Sequence, residues 1–131
     1  MEEALYSKYG FFNNEKVRSK RSGDFLTSPE VSKYFGKILN QWIQENNLDL
    51  NIVEFGSGTG SLIEQINTEN KFAVELSSTA RVELSKKNIQ NVASLEELTF
   101  KESDLVLGNE VLDNIPCSVA VFKDKKWHEK V

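Results

Sequence analysis

The chain has 131 residues, with 16 Lys and Arg against 20 Asp and Glu and a formal net charge of −4. That length suits one domain of about 100–200 residues; the mild acidity speaks against a nucleic-acid binder with its basic stripe, and a single cysteine, Cys117, excludes an intrachain disulfide or a multi-cysteine zinc site. No run of about 18 apolar residues is available to cross a membrane, and the acidic Met1-Glu2-Glu3 start is unlike a signal or transit peptide, so a cytoplasmic globular domain is expected.

In chain order, residues 1–28 read as an N-terminal arm or lid. It carries aromatics at Tyr6, Tyr9, Phe11 and Phe12 and four basic residues between Asn13 and Ser22. A solvated, mobile arm and a lid anchored by its aromatics both fit. Thr27 or Ser28 can cap a helix, with Pro29 in the first turn where its missing N–H costs nothing. Val31, Tyr34, Phe35, Ile38, Leu39, Trp42 and Ile43 then recur at three- and four-residue steps. That pattern predicts one helix over roughly 29–46 with an apolar stripe facing the core.

Residues 50–55 read as a first strand that stops at glycines, and 61–66 as a short helix. A second strand is expected over 71–76, followed by a helix capped by Ser77 or Ser78 and running to about Asn88, with Ala80, Val82 and Leu84 partly buried. A weak third strand at 91–95, a firmer fourth at 104–110, and a turn at 123–126 between β-like segments complete the pattern. Short strands alternating with helices indicate βαβ units: an α/β fold with a mostly parallel sheet, flanking helices and right-handed crossovers, residues 29–131 forming the domain.

The chemistry concentrates at Val53-Glu54-Phe55-Gly56-Ser57-Gly58-Thr59-Gly60-Ser61-Leu62. Glycines at alternate positions between a strand and a helix make a tight turn whose N–H groups a ligand can approach closely. The dinucleotide fingerprint wants a glycine where Ser61 stands, and a P-loop wants a lysine that is absent. Seating S-adenosylmethionine is the remaining common use. Glu54 either orients loop amides, faces the cofactor's amino group, or is a strand-end charge. Glu75, 19 residues beyond Gly56, ends the second strand, where a carboxylate accepts from ribose hydroxyls. After the fourth strand, Asn109, Glu110 and Asp113 either position a substrate amine, guanidinium or hydroxyl, or serve as a helix cap and solvated neighbours. Cys117 reads as a packed apolar thiol rather than a nucleophile. His128 has no partners at metal spacing and reads as a surface or strand-edge residue, so no metal is expected.

The stretch Gly23-Asp24-Phe25-Leu26-Thr27-Ser28-Pro29-Glu30-Val31-Ser32 with Phe35-Gly36, the glycine loop, Val74-Glu75-Leu76-Ser77, and Asn109-Glu110-Val111-Leu112-Asp113-Asn114-Ile115-Pro116 followed by Trp127-His128-Glu129 together resemble the MidA-type S-adenosylmethionine-dependent methyltransferases. These motifs occur in family order across most of residues 9–131. The resemblance implies a class I methyltransferase, Rossmann-like fold. It assigns Gly56, Gly58 and Gly60 to the cofactor loop, Glu75 to the ribose, and Asn109, Glu110 and Asp113 to the reactive end. It also makes Asp24, Thr27, Ser28 and Glu30 a wall of the site, with Glu110, Asp113 and Glu30 as carboxylates for a guanidinium nucleophile. The mitochondrial branch of the family methylates protein arginine in connection with respiratory complex I assembly. Asp113-Asn114-Ile115-Pro116 stands where Asp-Ala-Leu-Pro is more typical. Family members are more than twice as long, so the last strands of the sheet are expected to be missing and the substrate half with them. A non-catalytic module that binds cofactor or partner, and a nucleotide-dependent oxidoreductase, stand as alternatives. An unpaired sheet edge would favour dimers.

Overall fold

The structure, a computed structural model, describes residues 1–13, 26–46, 51–101 and 104–130. The basic run of the N-terminal arm and Asp24 lie outside them. Four parallel strands form the central sheet: β1 (Ile52–Phe55), β2 (Lys71–Val74), β3 (Gln90–Val92) and β4 (Leu105–Gly108), in the order β3-β2-β1-β4. The first three residues of β1 are buried, as a strand enclosed on both faces must be. A separate antiparallel hairpin, β5 (Val119–Lys123) and β6 (Lys126–Lys130), turns at Asp124 and Lys125, both in left-handed backbone. Strands β3 and β4 are each paired on one side only among the described residues.

The single helix expected over 29–46 is two. Helix α2 (Ser28–Val31) starts at Thr27 with Pro29 in its first turn, and α3 runs from Tyr34 to Glu45. Between them Ser32 is extended, and its hydroxyl accepts the Tyr34 N–H at 3.1 Å, a local side-chain bond that competes with helix continuation. The stripe also divides. Phe35, Leu39 and Ile43 pack on the core cluster of Ile52, Leu62 and Ile66. Val31, Tyr34, Ile38 and Trp42 are exposed, Tyr34 at 72%. On α3 the apolar positions sweep about half the helix circumference, wider than the seam one sheet face covers. The seam is close because Gly36 is buried: a Cβ there would lie 2.4 Å from the Gln65 Cβ.

After the glycine loop the expected short helix is a 3-10 turn, Ile63–Gln65. Helix α4 (Ser78–Lys86) is capped by the Ser77 hydroxyl, which accepts the Ala80 N–H at 3.3 Å. Leu84 joins Ile63, Ala73 and Ile89 in a second core cluster. Val82, expected to be partly buried, is exposed, since it sits two residues from Leu84 and therefore on the opposite face of the helix. Cys117 is also exposed rather than packed, in a segment between Pro116 and β5 that touches no core cluster. On β6, His128 is exposed, with Nε2 3.2 Å from the Lys123 carbonyl.

The two faces of α4 make a test. Leu84 is fully buried and Val82 is 55% exposed. Leu84→Ala is expected to cost about 2–5 kcal/mol and Val82→Ala no more than about 0.5 kcal/mol. Urea unfolding of the two variants, followed by circular dichroism, checks the orientation.

Candidate cofactor cleft

At the carboxyl ends of β1, β2 and β4 lies a cavity of about 500 Å³, within the roughly 300–1,000 Å³ range of small-molecule sites. Its floor is the turn that follows β1. Gly56, Gly58 and Gly60 all have positive φ (69°, 53° and 79°), and Gly56 N–H donates to the Val74 carbonyl at 2.8 Å, fastening the loop to β2. A Cβ on Gly56 would come within 2.3 Å of Val111 Cγ2. The loop after β1 and the turn after β4 therefore touch at this residue. Gly60 lies beneath, buried against Leu84 and Ile89 rather than on the cavity.

Two carboxylates are buried under the loop. Glu54 ends no strand; it sits inside β1 and accepts the Ile63 N–H at 3.1 Å, tying the strand to the 3-10 turn. Of its three readings, this geometry is that of a residue orienting loop amides. Burial pushes its carboxyl up to about 7, opposed by the Ile63 amide and the Ser57 hydroxyl and assisted by the charge of Glu75. Glu75 accepts Gly58 N–H at 2.7 Å on one oxygen and Ser77 N–H at 2.8 Å on the other. Burial raises its carboxyl too, against those two amides and Arg81, whose Nη1 donates to the Glu75 carbonyl at 2.7 Å.

The turn after β4 forms the facing wall. Asn109 and Glu110 line the cavity, and Glu110 holds φ 52°, a left-handed conformation that costs a non-glycine residue roughly 1–3 kcal/mol. Its Oε1 accepts Ser28 N–H at 3.2 Å and the Ser28 hydroxyl at 3.3 Å, with Asn109 Nδ2 at 3.5 Å. The turn is thus bound to the start of α2. Asn109 caps no helix; the 3-10 turn Leu112–Asn114 is preceded by Val111.

Of the predicted site residues, Glu54, Gly56, Gly58, Glu75, Asn109 and Glu110 come together around the cavity, with Thr27 at its edge. Glu30 does not line it. One Glu30 oxygen accepts Thr27 N–H at 2.9 Å and the other the Ser61 hydroxyl at 3.3 Å, bracing α2 against the glycine loop. Ser28 reaches the site through Glu110. Asp113 is exposed on the 3-10 turn, beside Asn114 at 3.5 Å. Tyr6 and Phe12 of the N-terminal aromatic cluster and Asn114 of the motif after β4 also line the cavity, as do Ser94 and Leu95, which no motif contains. Ser94 could have been found, because Ser94-x-x-Glu97 spells a capping box, and Glu97 accepts Ser94 N–H at 2.9 Å.

Glu54 makes the fold pH-dependent. Its carboxyl titrates near the ordinary 4.5 when unfolded and near 7 when folded, so the stabilisation is complete below 4.5 and is lost as pH rises through 7. Glu75 acts in the same direction. Stability in urea is expected to fall between pH 5 and pH 8 by on the order of 3 kcal/mol, and Glu54→Gln should flatten most of that slope. Separately, Gly56→Ala should cost about 2 kcal/mol or more, from left-handed strain and the Val111 clash, read as a lower urea midpoint.

Known proteins resemble this chain in sequence and in fold. The sequence model of the "Putative S-adenosyl-L-methionine-dependent methyltransferase" family matches residues 34–131. The chain is 38% identical over 63 residues to the mitochondrial protein arginine methyltransferase NDUFAF7 of Bos taurus, covering 44% of this chain and 14% of that protein. It is 46% identical over 50 residues to its Danio rerio counterpart, covering 34% and 12%. A crystal structure of a superfamily member from Burkholderia thailandensis bound to S-adenosyl-homocysteine superposes with a TM-score of 0.74 at 24% identity, covering 98% of this chain and 39% of that one. A second structure from the same organism gives 0.66 at 26% identity, covering 98% and 37%. The chain thus spans less than two fifths of these solved structures, and its matched segments about one seventh or less of the curated relatives. It has the Rossmann-like methyltransferase fold, and it belongs to the S-adenosyl-L-methionine-dependent methyltransferase family.

Proposed function

We propose that this chain is the cofactor-binding portion of a methyltransferase, that its cleft binds S-adenosyl-L-methionine, and that the methyl acceptor is a protein arginine. The observation that carries the cofactor reading is Glu75: a buried carboxylate at the end of β2, on the cavity, hydrogen-bonded to the glycine loop. Its two oxygens accept Gly58 N–H and Ser77 N–H, the Leu76 amide also bears on the carboxylate, and a carboxylate has about four acceptor sites. Acceptor capacity is left for a ribose hydroxyl. The acceptor fits the group.

When bound, the cofactor would supply a methyl group on a sulfonium: the nitrogen's electron pair would form the nitrogen–carbon bond as the carbon–sulfur pair returns to sulfur, leaving a neutral thioether and an N–H proton that passes to solvent. The chain's own contribution is alignment, which can remove several kcal/mol of barrier. Gly56 and Gly58 let the floor approach the ligand, and Asn109 would face its reactive end. Glu110 is exposed at the rim, and its Oε2 has no hydrogen-bond partner among the described residues. It would accept an N–H of the incoming guanidinium, whose charge favours a carboxylate partner. Asp113, exposed one turn on, would take a second. Glu30 acts through Thr27 and Ser61 as a positioning residue. The arginine acceptor rests on what the NDUFAF7 relatives are named for, together with these acidic groups.

Calorimetric titration of the chain with S-adenosyl-homocysteine tests the cofactor reading. Saturable heat is expected for the wild type, and Glu75→Ala should weaken binding at least about tenfold, as loss of a buried charge-assisted hydrogen bond would. No heat from the wild type overturns it. Binding without transfer to any arginine peptide, in a form that includes the remaining family length, would favour a non-catalytic module instead. In that longer form, wild-type turnover by Glu110→Gln and Asp113→Asn would remove those two residues from the acceptor site.

A further inference from the structure

The N-terminal thirteen residues are built as a unit. Helix α1 (Glu2–Tyr6) is followed by a return in which Phe11 N–H and Phe12 N–H donate to the Ala4 and Leu5 carbonyls, both at 2.9 Å. Asn13 Nδ2 closes the return on the Tyr6 carbonyl at 2.6 Å. Gly10 is buried where a Cβ would lie 2.6 Å from the Leu5 backbone, so the return packs directly on the helix. The rings of Tyr6 and Phe12 stack with centroids 5.5 Å apart, and both line the cavity.

Two hydrogen bonds fix this unit to the sheet. Tyr6 donates its hydroxyl to the Asn114 carbonyl at 3.0 Å, and the Ser77 hydroxyl donates to the Phe12 carbonyl at 2.5 Å. Ser77 follows β2 and Asn114 follows β4, and in the sheet β1 lies between those two strands. A segment tied to both must cross the glycine loop that follows β1. Burial raises the Tyr6 hydroxyl, and the charge of Glu75 raises it further, which places the ring within electrostatic reach of the buried carboxylate.

We propose that residues 1–13 are a retaining strap across the cofactor cleft, with the Tyr6 and Phe12 rings contacting the bound cofactor and the Asn114 and Ser77 anchors controlling its release. The proposal rests on the cofactor reading above and adds to it residues that neither the glycine motif nor the acidic motifs contain. A stacked aromatic pair suits a ligand with a planar purine and a sulfonium cation, since π faces attract both. It also roofs a cleft whose floor is backbone.

The test is the dissociation rate of S-adenosyl-homocysteine from the chain, measured by surface plasmon resonance. Tyr6→Phe keeps the ring and removes one anchor, and release should accelerate roughly 3- to 10-fold, the worth of one net hydrogen bond. Tyr6→Ala and Phe12→Ala should accelerate it by at least about 10-fold. Tyr9→Ala is the control: Tyr9 is exposed and does not line the cavity, so its rate should match the wild type. Hydrogen exchange provides a readout that needs no variant: the Phe11 and Phe12 amides should slow when S-adenosyl-homocysteine is added. Unchanged release from Tyr6→Phe and Phe12→Ala, with wild-type binding intact, overturns the strap and leaves the cofactor reading standing. Absence of binding to the wild type overturns both.

Discussion

The Glu75 carboxylate takes an N–H from the glycine loop on one oxygen and an N–H from the start of α4 on the other, and the cleft is organised about that double grip. A charge buried this deeply would be expensive if unpaired. Pairing it with two backbone donors fixes the loop after β1 and the helix after β2 relative to each other, which no apolar contact could do with the same directionality. Ser77 extends the arrangement: its amide serves Glu75, and its hydroxyl both caps α4 and reaches Phe12. The floor of the cleft, the start of α4 and the N-terminal segment therefore meet at Glu75 and Ser77.

The facing wall depends on a different economy. Glu110 holds a left-handed conformation unsuited to its side chain, and the conformation persists because Ser28 bonds its carboxylate while Val111 is wedged against Gly56. Strain in one residue is thus offset by contacts from α2 and from the glycine loop. Neither partner is a neighbour in sequence. A change at Ser28 acts on Glu110 directly, and one at Gly56 reaches it through Val111.

Those long-range dependencies separate what the sequence shows from what it hides. The glycine loop, the strand before it and Glu75 are local signals, since a turn without Cβ atoms and a carboxylate at a strand end carry their meaning within a few residues. The parallel sheet and the Thr27 and Ser77 helix starts are local in the same sense. The stripe on α3 is ambiguous because periodicity reports which residues are apolar, not how wide a face the sheet can cover; Phe35 and Tyr34 are adjacent, and only Phe35 meets the core. Val82 could have been placed from the sequence, since Ala80 and Leu84 are four apart on one helix face and Val82 lies opposite, whereas the exposure of Cys117 is set by neighbours that the local pattern does not name. Tyr6 and Phe12 show in the sequence only as part of an aromatic cluster that fits a mobile arm as well as a lid, because the partners that decide between the two, Asn114 and Ser77, lie 108 and 65 residues away.

The cleft is also unequal from end to end. Its β1–β2 side is made of buried groups: Glu54, Ser57 and Glu75, each held by backbone. Its β4 side is more open, with Asn109, Val111 and Asn114 half-buried and Glu110, Ile115 and Pro116 exposed at the rim. Rigid, desolvated donors and acceptors suit a ligand whose shape never varies, because the cost of ordering them is met on folding rather than on binding. Exposed carboxylates on a turn suit a partner that arrives from outside and must leave again. Under the proposed reading, the invariant cofactor and the protein-borne acceptor would meet at the boundary between these two regimes, which is where the strained backbone of Glu110 stands.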